Sequence, residues 1–202
     1  MRFLLAFDTQ DSDLGDFWHI CMTDILTHIP NQLGYSSTLL KSEALTKDTV
    51  GNKISDYEGN SFVFLAYSHG QRDSLHGRYE AYVDTTSAYL FGRTFFYTFS
   101  CLVGRDLGPA LIENYCKAFI GYQDKARIET NHEKQFAHCV NSGFKAFIEG
   151  KTVWECFCTI RNAYDDAMDN MYEDNLVVYA TYRRNRDSLC LYGDHNLTIN
   201  DL

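Results

Sequence analysis

Cys101, His69 and Asp8 each stand at the end of an apolar run, and together they are residue types that acyl transfer can use. Cys101 follows Phe95-Phe-Tyr-Thr-Phe99-Ser100 and precedes Leu102-Val-Gly104-Arg-Asp-Leu-Gly108-Pro109, which reads as a buried strand, a sharp turn and the start of a helix. A thiol at that junction lies at the carboxyl edge of a sheet, where open α/β folds hold ligands, and near helix N-terminal amides that favour a thiolate. His69 closes a second run, Phe62-Val-Phe-Leu-Ala-Tyr67-Ser68, and is followed by Gly70. A thiol nucleophile needs an imidazole to move protons and N–H donors to hold the oxyanion of a tetrahedral intermediate. Gly70 offers an amide with no side chain in the way, and the amide of Cys101 is a second donor. Each residue alone has an ordinary reading: a core thiol, a turn histidine and, for Asp8, a cap on the following helix. The pairing of His69 with Cys101 is what makes them candidates.

The elements that must position these residues follow from the pattern of apolar runs. Arg2 to Phe7, Phe62 to Tyr67 and Phe95 to Phe99 are short continuous apolar stretches, the signature of strands buried on both faces of a parallel sheet. Helical spacing runs through Leu14, Trp18, Cys21, Ile25 and Ile29, with Pro30 just beyond. A weaker helix spans Leu45 to Tyr57 after a short strand at Ser36 to Leu40. The polar stretch Gln71 to Val83 predicts a loop or hairpin, and Ser87 to Phe91 a short helix. Pro109 to Cys116 reads as helix and Lys117 to Tyr122 as strand. Two further helices lie along Phe136 to Ile148 and Val153 to Met168. Leu176 to Tyr182 alternates loosely, Arg183, Arg184 and Arg186 read as a basic solvated turn, and Leu189 to Tyr192 is a last strand. Strands alternating with helices predict an α/β fold with a mostly parallel sheet, as one domain over residues 1–202. In such a sheet Asp8, His69 and Cys101 share one edge if their strands are neighbours.

Composition narrows the class. The chain has 202 residues, 14 Phe, 14 Tyr and only 2 Pro, which speaks for an ordered core. A formal net charge of −9 disfavours binding to nucleic acid or to an anionic membrane. No apolar run reaches membrane-spanning length, and Asp8 interrupts the first run too early for a signal peptide, so a soluble cytoplasmic protein is expected. Seven Cys without zinc or redox spacing predict buried inert thiols at Cys21, Cys116, Cys139, Cys156, Cys158 and Cys190. Three residues between Cys101 and Arg105 are too few for a tyrosine phosphatase loop.

Ser68-His69-Gly70 at one strand end and Ser100-Cys101 at the next long one resemble the His-Gly and small-residue-Cys dyad of the caspase-like cysteine peptidases, the clan of caspases, metacaspases, gingipains, separase and CHAT domains. The segment from Gly143 through Gly150 to Cys156, followed by Leu191-Tyr-Gly-Asp194-His195-Asn-Leu197, is similar to the helix, Gly, helix, Gly-Asp-Pro-x-Leu ending of gingipain-like and CHAT domains, with His195 in place of the proline. The resemblance implies a three-layer α/β/α caspase-hemoglobinase-like fold and a cysteine endopeptidase. In it Cys101 is the nucleophile, His69 the proton carrier, and the amides of Gly70 and Cys101 the oxyanion hole. Protein or peptide is the substrate, and neither metal nor cofactor takes part. Asp8 falls where the family lines the pocket for the residue before the cut, which implies preference for Arg or Lys; Ser68 and Phe99 fall beside it. The caspase Gln-Ala-Cys-x-Gly signature is absent, and Phe99 stands where caspases carry Gln and metacaspases Asp. The polar loop Gln123 to Lys134 offers Lys125 and Arg127 as sites of activating self-cleavage, and an activating partner is the other route to regulation. Two other readings stay open: a catalytically silent caspase-like regulatory module, and a non-proteolytic Cys hydrolase served by His132 or His138.

Overall fold

The computed structural model describes residues 1–29, 35–171 and 174–202; Pro30, the expected stop of the first helix, lies outside them. In chain order the elements are β1 (Arg2–Phe7), α1 (Gly15–His28), β2 (Ser36–Lys41), α2 (Lys47–Ser55), β3 (Phe62–Tyr67), β4 (His69–Gly70), β5 (Ser74–His76) and β6 (Ala81–Asp84). After a 3-10 stretch at Thr85–Phe91 come β7 (Thr94–Phe99), α3 (Leu107–Glu113), β8 (Ala118–Tyr122), α4 (Glu133–Ile148), α5 (Val153–Asp169), α6 (Leu176–Ser188) and β9 (Leu189–Gly193). The main sheet runs β2-β1-β3-β7-β8-β9, and only β9 is antiparallel to its neighbour. A second, three-stranded antiparallel sheet, β4-β5-β6, grows out of the end of β3, so the segment from Gln71 to Val83 is a hairpin.

The central strands are apolar on both faces because helices cover both. Side chains alternate across a strand: Phe3, Leu5 and Phe7 face one core with α1, α4 and α5, while Leu4 and Ala6 face the other with α2 and α3. This is the expected three-layer α/β/α arrangement. Each fully buried Phe contributes roughly 1.5–3 kcal/mol, and Phe95, Phe96 and Phe64 are all completely buried. Polar tips inside the core find partners: the hydroxyls of Tyr67 and Tyr97 both donate to the Val140 carbonyl, at 2.9 and 2.7 Å, which fixes α4 on the sheet.

Three expectations are corrected. Leu176 to Ser188 forms a single helix, α6, in place of a loosely alternating run and a basic turn. Asn175 caps it by accepting from the Val178 N–H, and its buried residues Val178, Thr181, Tyr182, Asn185 and Ser188 recur at helical spacing; most of them are polar, which hides the period. Arg183, Arg184 and Arg186 are ion-paired on its surface with Asp187, Asp124 and Asp165. Asp8 does not cap α1, which begins after Leu14. Cys158 is half-buried, whereas the other five thiols expected in the core are buried.

Candidate active site

Strand register brings the candidate residues to one edge. Phe7 lies opposite Tyr67, and Tyr67 opposite Phe99, so β1, β3 and β7 end level. The next residues, Asp8, Ser68 and Ser100, are therefore neighbours, and the Asp8 N–H donates to the Tyr67 carbonyl at 3.1 Å. One residue further, β4 and the turn after β7 carry His69 and Cys101. Their backbones touch through Gly70: a Cβ placed there would lie 2.5 Å from the Cys101 carbonyl oxygen, 2.8 Å from Val103 Cγ1 and 3.0 Å from Ser100 Cβ. Only glycine allows this approach, since backbone cannot give way cheaply. Gly70→Ala is expected to lose about 1–3 kcal/mol by overpacking, read as a lower denaturant midpoint, together with any activity that depends on the Cys101 turn.

His69 is held from two further sides. Its Nε2 is 3.0 Å from Asp11 Oδ2, and the Trp18 ring makes a T-shaped contact with the imidazole, 5.2 Å between centroids at 81°. Asp11 is in turn fixed by its own loop, where Oδ1 accepts the N–H groups of Asp13 and Leu14 at 2.9 and 2.8 Å. Burial raises the Asp11 carboxyl, but those two N–H donors and the nearby imidazole outweigh it and hold the carboxyl below its usual range.

Asp8 sits in the opposite electrostatic situation. It is 1 % exposed, and its Oδ1 has no hydrogen-bond partner. Burial, and then the nearby Asp11 charge, push its carboxyl up, against smaller pulls from His69, Ser42 and Arg78. Asp8, Asp11, His69 and Arg78 line a cavity of about 220 Å³. A desolvated carboxylate with a free oxygen is what a cationic side chain can satisfy.

Cys101 lies on a turn in which Leu102 adopts φ 66°, a left-handed conformation rare outside glycine that is found at sites held by their surroundings. The thiol is half-buried and donates to the Ala126 carbonyl at 3.5 Å. Burial pushes it above the usual thiol range, and Lys125 and Arg127 pull it down only in part. The expected help from helix amides does not reach it, because α3 begins only at Leu107, beyond the turn that carries the thiol. The loop over Cys101 is tied down: the Leu102 N–H donates to Asp124 O at 3.2 Å, and the buried Asn185 side chain bonds both the N–H and the carbonyl of Arg127, at 2.9 and 2.6 Å. Lys125 and Arg127 have exposed side chains on this tethered backbone.

The edge thus joins Asp8, His69, Gly70 and Cys101 and leaves other candidates apart. Among the described residues, no hydrogen bond links His69 to Cys101; the imidazole is engaged by Asp11 and the thiol by Ala126. Ser68 is 1 % exposed and bonded to the Tyr82 hydroxyl at 2.7 Å, so it serves the turn. Phe99 is a core residue against Phe17 and Tyr122, not part of the cavity. His138 lines a different cavity, with Asp24 and Lys145, and His132 precedes α4. Sequence reasoning misses Asp11 and Asn185; Asp11-Ser-Asp-Leu-Gly15 carries the signature of an Asx turn ahead of a helix, which is the available signal for the first of them.

Taken together, the six-stranded sheet with its reversed last strand and the helices on both faces are a caspase-like fold. The chain superposes on the crystal structure of caspase-1 from Spodoptera frugiperda with a TM-score of 0.61 at 13% identity, covering 96% of this chain and 85% of that one. No family model and no curated protein matches the sequence. Among the described residues, no helix is long and apolar enough to cross a membrane.

Proposed function

We propose that this chain is a cysteine endopeptidase that cleaves after Arg or Lys. The observation that carries the reading is the contact of Gly70 with the Cys101 backbone, which puts a histidine-glycine pair and a cysteine turn side by side at the carboxyl edge of the sheet. The Cys101 proton passes to His69, and the sulfur pair attacks the scissile carbonyl carbon. The oxyanion is received by the amides of Gly70 and Cys101. Collapse breaks the C–N bond as imidazolium gives its proton to the leaving amine, leaving a thioester. Water then attacks the thioester carbon, returning a proton to His69, and the acid departs with the thiol restored. Asp8 receives the cationic side chain before the cut, its unpartnered oxygen supplying the acceptor.

The Ala126 contact favours a resting form that requires activation. With the thiol occupied by Ala126 O and pushed up by burial, a partner that lifts the loop from Asp124 to Arg127, or a cut at Lys125 or Arg127, would free it. The same contact is what a silent regulatory module would show. The test is hydrolysis of peptides ending in Arg, Lys or Asp, with mass-spectrometric mapping of an acyloxymethyl ketone peptide. Cleavage after Arg and Lys with the label on Cys101 is expected. Preference for Asp would overturn the role of Asp8, and an unlabelled Cys101 after loop cleavage would favour the silent module.

A further inference from the structure

The loop between β1 and α1 carries a feature that the bare dyad does not need. A carboxylate accepts hydrogen bonds and donates none, so in the contact between Asp11 Oδ2 and His69 Nε2 the imidazole nitrogen must be the donor. We propose that Asp11 is a positioning residue, which holds the Nε2–H of His69 so that the neutral imidazole presents bare Nδ1 as the base for the Cys101 proton. This rests on the peptidase reading of the same site. It specifies which nitrogen moves the proton and which residue decides it.

Several observations support the assignment. Asp11 is itself pinned, by the N–H groups of Asp13 and Leu14 on Oδ1, and the Asp11 and Gly15 N–H groups donate to Asp8 O and Asp11 O at 3.2 Å each. A Cβ on Gly15 would lie 2.8 Å from the Thr9 carbonyl, so the loop folds back tightly just after the carboxylate. Trp18, one turn into α1 and 1 % exposed, braces the imidazole in a T-shaped contact from the same loop-helix unit. The Asp11 carboxyl, held below its usual range, is ionised throughout the neutral region and so is only an acceptor. Asp8 and Asp11, three residues apart and lining one cavity, thereby divide the work: the desolvated one has a free oxygen for substrate, and the partly solvated, hydrogen-bonded one orients the base.

In the reaction, the Cys101 S–H bond breaks with its electron pair left on sulfur, and the proton joins the Nδ1 lone pair. The resulting imidazolium carries N–H on both nitrogens, with Nε2–H still bonded to Asp11. The leaving amine takes the Nδ1 proton, so nothing is transferred to Asp11, which acts only through the orientation and charge it gives the ring.

The deciding measurement is the tautomer of neutral His69, read from its two ring 15N shifts and their couplings in selectively labelled full-length protein. In the wild type the proton is expected on Nε2. In Asp11→Asn the carboxamide NH₂ can donate to Nε2 instead, and the population is expected to move to the Nδ1–H form, with kcat falling roughly 10²–10⁴-fold at little changed KM. Asp11→Glu is expected to keep the wild-type tautomer and to recover part of kcat. In Asp11→Ala, added formate is expected to restore activity in proportion to its concentration, which a merely structural loss would not permit. A wild-type His69 with its proton on Nδ1, or an Asp11→Asn protein that keeps the wild-type tautomer, overturns the assignment. Because the spectrum does not depend on turnover, it decides this point even for a protein whose Cys101 fails to react with any ketone, the result that would count against the peptidase reading.

Discussion

Replacing Cys101 by alanine is expected to reduce peptide hydrolysis by on the order of 10⁵–10⁶-fold while leaving the fold intact, because the nucleophile and its base act as one unit. The two halves of that expectation come from different parts of the structure. Activity is lost because the hydroxyls beside the thiol at the ends of β3 and β7 are engaged: Ser68 is bonded to Tyr82 and buried, and Ser100 is 3 % exposed with its hydroxyl bonded by Thr98 at 2.9 Å. Stability is kept because the thiol contributes one long hydrogen bond, to Ala126 O at 3.5 Å, from a half-buried site. Loss of such a bond costs about 1 kcal/mol at most. His69→Ala is expected to give a similar loss, and His132→Ala and His138→Ala none. Hydrolysis and thermal melting of the four purified variants measure both halves. Activity that survives Cys101→Ala would sink the nucleophile, and a His138→Ala protein that is inactive but folded would point to a different hydrolase chemistry.

The parts of the molecule that can be read in the sequence are those where one periodicity dominates. Phe62–Tyr67 and Thr94–Phe99 are buried at every position, so their apolar runs fit only central strands. With those strands as parallel neighbours, the shared edge of His69 and Cys101 follows. Phe99 shows where that reasoning stops short: Phe95, Tyr97 and Phe99 face the core under α1, α4 and α5, so the alternation of β7 itself assigns Phe99 to the core, one residue before the turn. Polar residues on its buried face hide α6, where Asn185 exchanges two hydrogen bonds with the Arg127 backbone. Partners 58 positions apart leave no local signal. Asp11 is hidden for a related reason: its contact with His69 spans 58 positions and depends on a loop whose course is set by the close approach of Gly15 to Thr9.

That loop also makes Asp8 the place where stability and function oppose one another. Asp8→Asn is expected to lower kcat/KM for peptides with Arg or Lys before the cut by about 10²–10⁴-fold, since one partner of a desolvated ion pair is worth about 3–5 kcal/mol. Peptides with a neutral residue there are expected to change little. The same substitution is expected to raise stability at neutral pH, and the sign follows from its proton. Burial, then repulsion from Asp11, raises the folded-state value above the ordinary 3.8, against smaller opposing contributions from His69, Ser42 and Arg78. Folded protein therefore holds a proton that the unfolded chain has already released, and stability falls as pH rises through that window. Below the ordinary value both states are protonated and the buried charge costs nothing. A carboxamide in place of this carboxyl does not titrate, so the variant's advantage is absent in acid, grows as pH rises past the ordinary aspartate value, and levels off above the folded one. Denaturant midpoints of both proteins across that range measure it. A difference that does not vary with pH would mean that Asp8 ionises freely in the fold, and a desolvated pocket for a basic side chain would fall with it.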